Sequence, residues 1–167
     1  MTMTKERTAA NSSDTSSTDR IEDEVLLRAP RSRVWRALTT PDEFGAWFNV
    51  KLTTTRIEKG TAMQGQMLFP GYEHVKFDAI VEALEPEVRF AWRWHPNATE
   101  KGVDYSSEER TLVTFTLHDA PEGTLLRVVE TGFDKLPAAR RMNAFTGNTN
   151  GWKAQLHKRL AGYIEGA

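Results

Sequence analysis

The sequence predicts an α+β domain in which a curved antiparallel sheet of about seven strands wraps around one long C-terminal helix. Three observations carry this. Between positions 50 and 131 apolar and polar residues alternate, and turn residues interrupt the runs at short intervals. From Phe145 onward the apolar residues instead recur three or four apart, the spacing of one helix face. Two short helical patterns, each closed by a breaker, stand between the first strand and the rest.

The elements follow in order. Positions 1–19 are rich in Ser and Thr and almost free of large apolar side chains. Such a segment buries too little apolar area to offset its ordering entropy, so it reads as a disordered tail before a domain at 20–167. Ile21, Val25, Leu26 and Leu27 mix alternation with a short apolar run and mark a first strand. Pro30 suits the first turn of a helix, where its missing N–H costs nothing. Val34, Trp35 and Leu38 continue that helix, and Pro41 ends it by disfavouring helical geometry at Thr40. Thr40 with Glu43 three residues on reads as a capping box for a second short helix, with Phe44 and Trp47 on its apolar face.

The alternating region breaks at Gly60, at Pro70 and Gly71, at Pro86, across the polar stretch 96–107, and at Pro121 and Gly123. Its clearest strand is 88–95, with Val88, Phe90, Trp92 and Trp94 on one face and Arg89, Ala91, Arg93 and His95 on the other. A last hairpin joins 111–117 to 124–131. Every connection but 96–107 is short, which implies an antiparallel meander. The final helix carries Phe145, Thr149, Trp152, Leu156, Leu160 and Tyr163 or Ile164 as its stripe. Gly147 is a candidate kink, and Gly151 a candidate point of close approach to the sheet.

Composition removes several function classes. The chain has 167 residues, 22 Lys+Arg against 23 Asp+Glu, and no cysteine. A net charge of -1 gives no electrostatic reason to expect nucleic acid or an anionic membrane as partner. Disulfides, thiol catalysis and Cys-based zinc sites are excluded. No apolar run reaches the roughly 18–20 residues of a membrane span, and no basic-then-apolar leader opens the chain, so a cytoplasmic location is expected. No nucleophile elbow, phosphate-binding glycine loop or His-Glu-x-x-His is present. His74, His95, His118 and His157 are scattered, and neither metal nor cofactor is expected.

Several segments together resemble one family. Ala29 and Pro30, then Val34-Trp35-Arg36-Ala37-Leu38-Thr39-Thr40-Pro41 and Trp47-Phe48, are similar to its opening motif. Ala83-Leu84-Glu85-Pro86 leading to Phe90-Ala91-Trp92 resembles its central hairpin. Val113-Thr114-Phe115, then Gly123-Thr124-Leu125-Leu126 and Glu130-Thr131-Gly132-Phe133, resemble its last hairpin, and Gly151-Trp152 with Leu156 and Leu160 its terminal helix. The matches run in order from Ile21 to Ile164. The family is that of the activator of heat-shock-protein-90 ATPase, within the START-like (SRPBCC) superfamily of helix-grip folds. The resemblance implies a cavity between sheet and helix rather than a particular reaction, since superfamily members bind lipids, polyketides or hormones and some are cyclases or hydrolases. The namesake activator carries a further N-terminal domain that the short polar segment before Ile21 does not supply, so a full co-chaperone role is not expected.

Trp47, Phe69, Phe77, Phe90, Trp92, Trp94, Phe115 and Trp152 are the candidate cavity-lining rings; plain core packing is the other reading of the same residues. The cavity is expected between Trp92 and Trp152. Glu130 shares strand parity with Leu126 and Val128, so it points inward if they do. There it would anchor a ligand hydroxyl or amine; otherwise it is a strand-end surface carboxylate, or one paired with Arg127 or Arg93. The stretch 96–107 is either a flap over the cavity or an idle loop. Binding of an apolar or aromatic small molecule ranks first. An enzyme using Glu130 with His74, Asp78 or Tyr105 ranks second. A protein-interaction module ranks third, because no exposed apolar patch is evident to receive a protein partner.

Overall fold

The computed structural model describes residues 17–166. The expected tail therefore lies almost wholly outside the described residues, and regular structure begins at Arg20. The elements are β1 (Arg20–Leu27), α1 (Arg31–Thr39), α2 (Pro41–Phe48), β2 (Val50–Leu52), β3 (Ala62–Met67), β4 (Lys76–Glu85), β5 (Arg89–Trp94), β6 (Thr111–Ala120) and β7 (Gly123–Thr131). A 3-10 turn (Phe133–Lys135) then leads into the long helix α3. That helix opens as Ala138–Ala154, widens into a π segment at Gln155–Leu160 and closes as Ala161–Glu165.

The seven strands form one antiparallel sheet in the order β1-β7-β6-β5-β4-β3-β2. The expected meander is therefore present, with β1 returning to pair with β7. The register of β4 on β5 slips between Val81 and Ala83, which places an extra residue, Glu82, on β4. Such a bulge increases local twist and helps the sheet curl around the helix.

The concave face is apolar by alternation. Leu126 and Val128 on β7, Val113, Phe115 and Leu117 on β6, and Phe90 and Trp92 on β5 are all buried. The helix stripe is the one that periodicity predicts, with Trp152, Leu156 and Leu160 buried and Lys158 exposed. The π segment brings Gln155 to the buried side beside Leu156. Gly147 does not kink the helix. Gly147 instead lies against the β5–β6 loop, where a Cβ would be 3.2 Å from Oδ1 of Asn97, whereas a Cβ on Gly151, the expected point of approach to the sheet, would meet nothing within 4 Å.

The capping box at Thr40 does not form, since the Thr40 side chain makes no capping hydrogen bond. Glu43 instead accepts from Arg33 at 2.7 Å, Arg36 at 3.0 Å and Tyr163 Oη at 3.0 Å. It thus ties α1 and α2 to the end of α3, and these three donors are stronger competitors than the lone N–H of the cap. Burial pushes the Glu43 carboxyl up, but the Arg33, Tyr163 and Arg36 hydrogen bonds outweigh it and hold the group below the ordinary range.

Candidate functional site

Strand register assembles the site. Trp94 lies opposite Thr111, Trp92 opposite Val113, and Val113 opposite Glu130. Directly paired residues share a sheet face, so all of them look at α3. From α3, Asn148 and Trp152 stand one turn apart on the facing side. The two sets meet on Glu130.

Glu130 is fully buried. Its Oε2 accepts hydrogen bonds from Thr111 Oγ1 at 2.6 Å and Trp94 Nε1 at 2.9 Å. Its Oε1 accepts from Trp152 Nε1 at 2.8 Å and Asn148 Nδ2 at 3.0 Å. No cation pairs with it among the described residues. Arg127 is engaged by Glu22 and Arg93 by Glu82, both on the outer face. Burial raises the Glu130 carboxyl above the ordinary range against the pull of its four donors.

Beside this cluster lies a cavity of about 920 Å³. One wall is Trp94, Phe77, Phe48 and Met67; a second is Asn148, Gly151, Trp152, Gln155 and Arg159 of α3. The third is the connection from β5 to β6, through residues 97–106, so the long loop does face the cavity. Tyr72 and Val103, two of the large apolar side chains left exposed, stand at its edge.

Four of the sequence-predicted rings, Phe69, Phe77, Trp94 and Trp152, line this space. The other four do not reach it. Trp47 is closed in the core with its Nε1 donating to Ala37 O at 2.8 Å. Phe90, Trp92 and Phe115 pack on one another, with Trp92 5.5 Å from Phe90 and 5.3 Å from Phe115. The space expected between Trp92 and Trp152 is filled, for their centroids are 6.3 Å apart. The cavity opens one step along the sheet, past Trp94. Glu130 sits behind the wall, since Trp94, Trp152 and Asn148 come between it and the cavity.

The remaining polar candidates also have partners. His74 lines the cavity with Nε2 2.6 Å from Thr99 O. Asp78 lies 3.6 Å from Arg110. The Tyr105 hydroxyl accepts from Glu100 N at 3.2 Å, and its ring lies 4.7 Å beneath Arg140. Burial, helped by the Arg110 charge, lowers the His95 pKa. Sequence reasoning missed Asn148 and Gln155. Both are polar residues beside the apolar stripe, and that position was their one visible signal. Among the described residues no group of three or more His, Asp or Glu is placed to hold a metal. Nor is any helix long and apolar enough to cross a membrane.

A curved sheet gripping one long helix, with an apolar cavity between them, defines a helix-grip protein. Residues 28–165 match the family described as Activator of Hsp90 ATPase homolog 1-like protein, and the chain belongs to that family. No curated protein matches it. Among solved structures, protein MLL2253 from Mesorhizobium loti superposes with a TM-score of 0.69 at 24% identity, covering 89% of this chain and 98% of that one. DynU16, from the dynemicin biosynthetic locus, superposes with a TM-score of 0.66 at 24% identity, covering 88% of this chain and 47% of its own. Aha1 from Colwellia psychrerythraea, a dimer, gives 0.65 at 17% identity, covering 88% and 97%. At these identities the likeness is one of fold.

Proposed function

We propose that the protein binds an apolar or aromatic small molecule in the cavity walled by Trp94, Trp152, Phe77 and the 97–106 loop. The observation that carries the reading is the cavity itself, about 920 Å³ of space faced by aromatic rings. Trp94 and Trp152 direct their indole N–H groups to Glu130, so the surface they offer a ligand is carbon. The fold of this family commonly holds hydrophobic ligands, which agrees with the reading. Binding without turnover is favoured over the cyclase or hydrolase alternative. His74, Asp78 and Tyr105 are engaged by the protein's own groups, and Glu130 lies behind the wall with its lone pairs occupied.

The test uses N-phenyl-1-naphthylamine, a neutral dye that brightens in apolar sites. It is expected to bind saturably at micromolar concentration and to quench tryptophan emission. Gly151→Leu is the matched control. Its side chain enters open space on the cavity wall, and loss of a helix glycine favours folding by up to about 1 kcal/mol. The variant should melt no lower than the parent yet lose most dye binding. Unsaturable dye binding, or full binding by Gly151→Leu, would count against the cavity as a ligand site.

A further inference from the structure

The charged groups on the cavity wall differ in their circumstances. Four cations line it: Lys76, Lys101, Arg110 and Arg159. Arg110 is engaged by Asp78, with its Nη1 also donating to Asp78 O at 3.1 Å and to Arg93 O at 3.3 Å. Lys76 and Lys101 are exposed and extend into solvent. Arg159 is half-buried on the π segment of α3, and its guanidinium lies 4.6 Å above the ring of Phe69. Among the described residues its guanidinium forms neither an ion pair nor a hydrogen bond.

The anions are arranged differently. Asp78 is held by Arg110, and Glu100 and Asp104 lie on the exposed loop. No free carboxylate therefore faces the cavity from the sheet or from α3. One turn before Arg159, Gln155 donates from Nε2 to Phe48 O at 3.0 Å. That bond fixes the amide so that Oε1 points elsewhere, and Oε1 is buried without a partner. Gln155 Oε1 is closed off from the cavity, so the free charged group that the helix wall presents is the Arg159 guanidinium. A guanidinium held over an aromatic ring by a cation–π contact still has N–H groups to donate, and its planar fork matches a carboxylate bidentately.

We propose that the ligand is an apolar acid. Its hydrocarbon or aromatic body fills the space between Phe77, Trp94 and Trp152, and its carboxylate pairs with Arg159 over Phe69. This rests on the cavity being a ligand site, as argued above. A cationic ligand finds no free partner on the sheet or helix walls. A neutral one leaves Arg159 as it is.

The experiment displaces N-phenyl-1-naphthylamine from the full chain with dodecanoate and, separately, with 1-dodecanol, each below its aggregation concentration. Dodecanoate is expected to displace the dye at about one-tenth the concentration of the alcohol, the effect of a charge-assisted pair that is only partly shielded from water. The preference should shrink in 0.5 M salt (roughly a 4 Å Debye length). Arg159→Gln, with each competitor read against the variant's own dye affinity, should bring the acid-to-alcohol ratio close to one. Equal displacement by acid and alcohol in the parent overturns the inference while leaving the cavity reading intact, as does a preference that survives Arg159→Gln. Failure of the parent to bind the dye overturns the cavity reading, and this inference with it.

Discussion

Glu130 shows how much a single residue can carry in this fold. It joins β5, β6 and α3 through four donors without a counter-cation. A glutamine at this position offers one oxygen where the carboxylate offers two. Trp94 and Trp152 donate to different oxygens, so one indole N–H would face an amide N–H2. Glu130→Gln should therefore cost about 1–3 kcal/mol, the penalty of a buried donor left unmade. Its pH dependence has a fixed sign. Burial raises the native carboxyl pKa, so the group's contribution is fully present below its unfolded value of about 4.3 and is lost as pH rises through the raised native value. Urea unfolding from pH 4.5 to 8 should show the gap between parent and Glu130→Gln narrowing as pH rises. A gap that widens would mean that the four donors outweigh burial.

At the scale of elements, the β5–β6 connection is held down and is not a free flap. Arg140 of α3 donates to Glu108 Oε1 at 2.7 Å, to Asn97 O at 3.1 Å and to Pro96 O at 3.1 Å, and it covers the Tyr105 ring. One side chain thus fixes both ends of the segment that forms the third cavity wall. Arg140→Ala should leave the sheet intact and speed amide exchange across 97–106 selectively, because local opening follows the loss of local contacts. Bound dye should also dissociate faster. Unchanged exchange in that segment would show that the loop is ordered by other contacts. The elements themselves were legible, because Trp152, Leu156 and Leu160 repeat at helical spacing and Phe90 and Trp92 alternate on their strand, but their bounds were not, since the helix begins at Ala138, ahead of Phe145, and β6 runs on to Ala120. The π segment was not, since both an α-turn and a π-turn place Leu156 and Leu160 on one side.

Across the whole molecule, filled and empty space divide the region between sheet and helix. At the filled end α2 packs Phe44 and Trp47 into the core beside Trp92, with Phe44 5.7 Å from Trp92 and edge-on to it. At the other end α3 faces the sheet across the cavity, and the 97–106 loop forms its third wall. Trp92→Ala should therefore act on folding, at about 3–5 kcal/mol by thermal or urea unfolding. Phe69→Ala, on the half-exposed rim, should cost about 1 kcal/mol or less and weaken dye binding instead. The opposite order would place the ligand beside Trp92, where the stripe of rings and the family resemblance together had suggested it.

The sequence by itself determined the elements and which of their residues share a face, but not which face of β7 turns inward. Strand and helix periods are local properties, so Leu126, Val128 and Glu130 reveal their shared direction without any knowledge of what they meet. The resemblance to the family supplied the order of the elements around the helix. The tertiary structure alone decided which rings border empty space and which are packed solid. It also decided that Glu130 binds two tryptophans rather than an arginine, and that Arg159 is left without an anion. Those outcomes depend on strand register and on how far each element reaches. Trp94 is 36 residues from Glu130 in the chain, and a cavity is a volume that no residue occupies. Neither leaves a periodic trace, because periodicity records which way a side chain points and not how far away its neighbour lies.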